Sequence, residues 1–105
     1  MFNDHSDLDF MLMESCGGPI ERIEDLVNKG ASLTSRGWLT GCSPLHFAAE
    51  QGVVDNVKWL LEHGSPWNLV DNSDNTAADV ALDEGHPLIH DIILEHGVQK
   101  GMSNV

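Results

Sequence analysis

The sequence predicts an all-α solenoid of three helix–turn–helix repeats. Three observations carry that expectation. The stretch from Ser43 to Gly64, SPLHFAAEQGVVDNVKWLLEHG, reads as a short helix, a turn and a second helix. It recurs downstream at an offset of 33, which maps Ser43 to Thr76, Ala48 to Ala81, Gly52 to Gly85, Leu61 to Leu94 and Gly64 to Gly97. It recurs upstream at an offset of 34, which maps Gly52 to Gly18, Leu60 to Leu26, Leu61 to Val27 and Gly64 to Gly30. Each helix pair is too small to hide its apolar face alone, so the copies must lean on one another.

In the first unit, Ser6 or Asp7 can cap a helix over roughly 8–16, with Leu8, Met11, Leu12 and Ser15 on its inner face. Gly17-Gly18-Pro19 makes the turn, and Pro19 can open a helix over roughly 19–29. Ile20, Ile23, Leu26 and Val27 give that helix one apolar face, and Gly30 stops it. Asp7, Asp9, Glu14, Glu21 and Glu24 suit the solvated side of a terminal repeat. The connector ASLTSRGWLTGC, residues 31–42, carries Gly37 and Gly41 as turn residues around Trp38 and Leu39.

In the middle unit, Ser43 is the expected cap and Pro44 takes the first helical position, where its missing N–H costs nothing. Leu45, Ala48 and Ala49 form a small apolar face, and Gly52 ends the helix. Val54, Val57, Leu60 and Leu61 are the buried face of the second helix, with Gly64 as a left-handed stop and His63 favouring the carbonyl end of the dipole. The next connector, SPWNLVDNSDN, ends in Asp and Asn turn residues, and Trp67 is expected to pack beneath it.

In the third unit, Thr76 caps, and Ala78, Ala81 and Leu82 keep the inner face. Pro87 opens the last helix, which Leu88, Ile92 and Ile93 bury. Gly97 is read as its stop, with His96 at the last helical position and a polar tail following.

Seventeen acidic residues against five basic ones give a formal net charge of −12 in 105 residues. A nucleic-acid backbone or an anionic membrane surface needs clustered Lys and Arg, so both are excluded as partners by charge. A basic partner would gain association rate from the field. No apolar run reaches the ~18 residues of a membrane span, and the N-terminus has no signal-peptide pattern, so a cytoplasmic or nuclear location is expected. Cys16 and Cys42 lack C-x-x-C spacing and read as free thiols. His86 and His90, four apart, could be half of a zinc site, but no further ligand has the spacing to complete it. No phosphate loop, nucleophile elbow or paired carboxylate stands out, so neither an enzyme nor a cofactor is expected. A metal or redox sensor is retained as an alternative. The sequence sets no oligomeric state.

S-P-L-H-x-A at a period near 33 is the repeat signature of ankyrin domains, and the sequence resembles the ankyrin repeat family over roughly residues 8–97. The resemblance implies an ankyrin-repeat solenoid at 7–97, with repeats at about 8–41, 42–74 and 75–97, β-hairpin fingers as connectors, and a short tail at 98–105. It implies a structural His46, bonded to Ser43 and to neighbouring backbone. The structural motif is then Ser43, Pro44, Leu45, His46, Gly64 and Gly97. The first repeat lacks this box, and the third puts Ala77 for proline and Asp79 for histidine, which should weaken its turn.

The implied function is a protein–protein interaction module whose partner, with a basic surface, lies in the concave face made of fingers and first-helix faces. By register the partner-binding slots are Phe47, Glu50 and Gln51 in the middle repeat and Val80, Asp83 and Glu84 in the third, with Trp38 and Leu39 overhanging them. Phe47 falls on the groove side, where burial by neighbours is not required. A narrower resemblance rests on Pro66-Trp67-Asn68, Thr76-Ala77-Ala78-Asp79, Ala81, Gly85-His86 and Gly97-Val98-Gln99. That run is similar to the N-terminal ankyrin module of fungal and plant arginine δ-N-methyltransferases. It implies, as an alternative, a non-catalytic module associated with an arginine methyltransferase.

Overall fold

In a computed structural model, residues 6–37 and 40–102 are described, with side chains for 8–37 and 40–99. The described residues form α1 (Ser6–Ser15), α2 (Ile20–Asn28), α3 (Pro44–Gln51), α4 (Val54–Glu62), α5 (Ala77–Asp83) and α6 (Pro87–Met102). Within each repeat the two helices pack together; α3 also sits between α1 and α5, and α4 between α2 and α6. The result is two layers, an inner row α1–α3–α5 and an outer row α2–α4–α6.

Side-chain size differs between the layers. Where α3 meets α5, Ala48, Ala49, Ala77, Ala78 and Ala81 are all buried. Small side chains let these short helices approach closely. The outer row buries Ile23, Leu26, Val57, Leu60, Leu61, Ile89 and Ile93. Each such side chain stabilises the fold by on the order of 1.5–3 kcal/mol, so most of the apolar driving force lies in the outer half of the stack.

Local chemistry sets the helix starts. Ser43 caps α3, and its hydroxyl accepts from the His46 N–H while His46 Nδ1 accepts from the Ser43 N–H at 3.1 Å. His46 is buried, and its Nε2–H donates to the Asn75 carbonyl at 2.8 Å, tying the middle repeat to the start of the third. Thr76 caps α5 in the same way. There Asp79 takes the place of the histidine, its carboxylate accepting from the Thr76 N–H at 3.1 Å. The box is therefore kept where the sequence suggested a weakened turn; what Asp79 lacks is the second nitrogen that reaches the next connector.

Neighbouring repeats are joined by side chains as well as by packing. Asn56 on α4 is buried and donates through Nδ2 to the carbonyls of Cys16, at 2.8 Å, and Gly18, at 2.9 Å. The first directly follows the end of α1 and the second lies in the turn before α2, where no helix supplies a donor. Trp59 donates to Glu24 at 3.2 Å across the outer row. The His86 ring donates to the Glu50 carbonyl at 3.2 Å, and it lies where a Cβ on Gly52 would come within 2.6 Å of it. Gly52 also adopts φ 79°, so both its conformation and its neighbour call for glycine.

Several expectations are corrected. The connectors contain no strand among the described residues. They are closed by isolated bonds, Gly37 N–H to Cys42 O at 2.9 Å and Asp71 N–H to Asn75 O at 2.9 Å. They are stitched to each other by Asn72 N–H to Thr40 O, at 2.9 Å, and by Arg36, which donates to Val70 O and Gly41 O. Gly97 does not stop the last helix. Helix α6 runs on to Met102, so His96 lies inside it and the expected tail is helical through that point. The reason for a glycine at 97 is Trp67, whose ring atoms stand 2.6–2.7 Å from where a Cβ would be. The tryptophan thus packs on the α6 backbone. Met11, at 36 % exposed, Leu82, at 52 %, and Leu88, at 61 %, do not belong to the core; Leu12 and Ile89 fill the buried positions beside Met11 and Leu88.

Ser65 is the counter-case to Asn56. Its hydroxyl is buried without a hydrogen-bond partner among the described residues. Removing an unsatisfied buried hydroxyl relieves a desolvation cost of about 1 kcal/mol. We expect Ser65→Ala to leave the unfolding midpoint unchanged or raise it by a few degrees in a thermal melt. A clear drop would mean that the hydroxyl has a partner after all.

Candidate functional site

The inner row leaves a groove between its first two helices. Phe10, Met13 and Glu14 of α1 form one wall, and Phe47, Glu50 and Gln51 of α3 form the other. Gly17 and Gly18, which follow α1, and Gly37 and Thr40 of the first connector complete the lining; the groove is open to solvent and its volume is about 690 Å³. Met13 and Phe47 are half-buried, with Phe47 packed against the core, whereas Phe10 is 61 % exposed. Glu14, Glu50 and Gln51 are exposed. A Cβ on Gly17 would come within 2.7 Å of the Gln51 side chain, so at that end the wall is bare backbone with Gln51 lying across it.

This arrangement brings together three of the expected slots, Phe47, Glu50 and Gln51. Val80 and Asp83 of α5 and Glu84 at its C-cap lie one repeat along and are not among the described residues that line this groove; Val80 is half-buried and the two acids are exposed. Trp38 and Leu39 fall outside the described residues, although Gly37 and Thr40 on either side of them in sequence do line it. Sequence reasoning missed Phe10, Met13 and Glu14. One signal was available: the upstream offset of 34 maps Phe47 onto Met13.

Basic residues are absent from the inner helices, while acids lie on both layers. Helices α1, α3 and α5 contain no Lys or Arg. Arg22 and Lys58 lie on the outer helices α2 and α4, and Lys29 follows α2. On the first connector, the Arg36 guanidinium is committed to the carbonyls of Val70 and Gly41. The groove therefore has an apolar floor and an anionic rim, with no cation among the described residues that line it.

The reactive residues are occupied structurally. Burial pushes the Cys16 thiol up to about 12, and its Sγ donates to the Leu12 carbonyl at 3.1 Å, so thiolate chemistry is strongly disfavoured there. Cys42 Sγ lies 3.9 Å from an Asp71 carboxylate oxygen. Burial alone would raise the Asp71 carboxyl. The N–H groups of Asn75 and Ser73, with His46 and Arg36 nearby, nevertheless hold it below its ordinary value. His63 stacks on Trp59 at 3.8 Å and donates to the Trp59 carbonyl, at the end of its helix as expected. His90 sits 3.2 Å from Asp91, while His86 is held by Glu50. Among the described residues no group of three His, Cys, Asp or Glu side chains is placed to hold a metal ion. None of their helices is long and apolar enough to cross a membrane.

A family model for ankyrin repeats, in three copies, matches residues 10–104. The chain is 38 % identical over 72 residues to a putative E3 ubiquitin-protein ligase XBAT34 of Arabidopsis thaliana, covering 68 % of this chain and 19 % of that protein. It is 35 % identical over 79 residues to diacylglycerol kinase iota of Mus musculus, covering 75 % of this chain and 7 % of that one. It is also 32 % identical over 77 residues to protein arginine N-methyltransferase 2 of Cryptococcus neoformans, covering 73 % and 21 % respectively. The chain thus spans about a fifth or less of the length of these relatives.

Proposed function

Because the chain belongs to the ankyrin repeat family, we propose that it is a protein–protein interaction module that receives its partner on the concave, inner-helix face. The observation that carries this reading is the groove itself: an apolar floor at Phe10, Met13 and Phe47, a rim of Glu14 and Glu50, and inner helices free of Lys and Arg. Such a surface attracts a basic protein and repels nucleic acid. The connectors act as the fingers of the stack, and Trp38 and Leu39 of the first connector, with Val80, Asp83 and Glu84 of the third repeat, are further partner-binding residues in this reading. The working unit is the three helix pairs, with α6 running past Gly97 to Met102, and its setting is cytoplasmic or nuclear.

Reversing the rim tests the reading. Glu14 and Glu50 are exposed, so the double variant Glu14→Lys, Glu50→Lys should fold with an unchanged midpoint. Wild type and variant are immobilised side by side and their captured proteins quantified by mass spectrometry. We expect the set specific to wild type to be lost on the variant and released from wild type by high salt. An identical set on both proteins would overturn the reading.

A second reading is supported by the similarity to the arginine methyltransferase of Cryptococcus neoformans. In it the repeats are a non-catalytic module associated with such an enzyme. The other relatives carry different activities in their names. That variety favours a shared binding module over a shared reaction.

A further inference from the structure

We propose that the groove between α1 and α3 recognises a basic–apolar–basic peptide segment, in which one bulky apolar side chain is anchored between Phe10, Met13 and Phe47 while Lys or Arg on both sides of it meet Glu14 and Glu50. The inference rests on the concave-face reading and deepens it by naming the chemistry of the occupant. Four observations argue for it.

Phe10 is the first. A phenylalanine left 61 % exposed on an inner helix contributes little to the core, and here it lines a concavity rather than a convex surface. Second, the three apolar groups are of kinds that suit a bulky guest. Phe10 and Phe47 offer ring faces and edges, and Met13 offers an unbranched, polarisable thioether that adapts to the guest's shape. A volume of about 690 Å³ lies within the range of pockets that enclose a guest rather than a single water.

The third observation is the placement of the acids. Glu14 stands on the α1 wall and Glu50 on the α3 wall, so a chain crossing the apolar floor passes one carboxylate on each side. With no Lys or Arg among the described lining residues to neutralise them, both are available to the guest. An acidic segment would be repelled twice. The fourth is bare backbone. Gly18 and Gly37 line the groove without side chains, which lets a partner's main chain approach closely there, whereas Gln51 already lies across Gly17.

The α5 positions do not supply an equivalent anchor. Val80, the register partner of Phe47, is smaller and lies off the groove. Recognition is thus centred on the first and middle repeats, one repeat earlier than register alone suggested.

A displayed random-peptide library, selected on the wild-type chain and re-tested on two variants, decides the matter. We expect recovered peptides to share an aromatic or long aliphatic residue with Lys or Arg close by on both sides. We expect Phe10→Ala, whose exposed side chain leaves the midpoint unchanged, to weaken them about ten-fold or more, as loss of an interface anchor does. Peptides that lack flanking basic residues, or that bind Phe10→Ala as tightly as wild type, would overturn the proposal; so would a library that returns no binder. Such peptides would leave the concave-face reading standing if they still lost affinity on Glu14→Lys, Glu50→Lys. Undiminished binding to that charge-reversed variant would sink the reading itself.

Discussion

Replacing Asn56 with leucine is expected to lower the unfolding free energy by about 1–3 kcal/mol, because a buried carbonyl and a part-buried one lose their donor while the apolar packing of α4 is kept. The two carbonyls belong to Cys16 and Gly18, at 2.8 and 2.9 Å from Asn56 Nδ2. They lie in the turn between α1 and α2, so the loss falls on the seam between the first and middle repeats. In a stack whose stability is a sum of repeats and interfaces, weakening one seam should release the terminal repeat first. Hydrogen exchange should therefore lose protection in α1 and α2 before α5 and α6. A midpoint within ~0.5 kcal/mol of wild type would show that those carbonyls find other partners and that Asn56 does not pin the first repeat.

His46→Ala is expected to cost about 3 kcal/mol, roughly three times the cost of Asp79→Ala, although the two residues occupy the same place in their capping boxes. Both variants lose a bond to the cap N–H. The histidine variant also empties a buried site and orphans the Asn75 carbonyl that Nε2 reached at 2.8 Å. The aspartate is exposed and makes no such bridge. Equal losses, measured by denaturant titration, would mean that the link from His46 to Asn75 adds nothing to the cap.

The contrast between those two variants marks what could be read from the chain. Capping is local. Ser43 and His46 are three apart, as are Thr76 and Asp79, so the helix starts were visible in sequence. The apolar faces that bury Ile23, Leu26, Leu60 and Leu61 were equally visible, since their spacing repeats within one helix. Gly97 shows the limit. A glycine after a helical run reads as a stop, but its cause is a tryptophan thirty residues back that presses on the backbone. Asn56 is hidden for the same reason: its partners lie 38 and 40 residues away, and nothing local distinguishes it from a solvated asparagine.

Leu82 shows a different limit. It occupies the register of Ala49, which α5 covers in the middle repeat; no described element covers Leu82, so the same face is exposed there. The groove was half legible. Register gave Phe47, Glu50 and Gln51 correctly as neighbours on one inner helix, then continued in the downstream direction to α5. The groove lies upstream, where the first connector and the glycines after α1 complete its lining. A reading that took the offset of 34 as seriously as that of 33 would have paired Met13 with Phe47.

The central claim is that the trough between α1 and α3 holds a stretch of another polypeptide. Its most direct test is to add a library-selected peptide to isotope-labelled protein and follow every backbone amide by NMR. The account predicts the largest shifts on α1 and α3 and at Gly17, Gly18 and Gly37, with the outer helices α2 and α6 nearly still. Shifts concentrated on the outer row, with Phe47 and its neighbours unmoved, would contradict it.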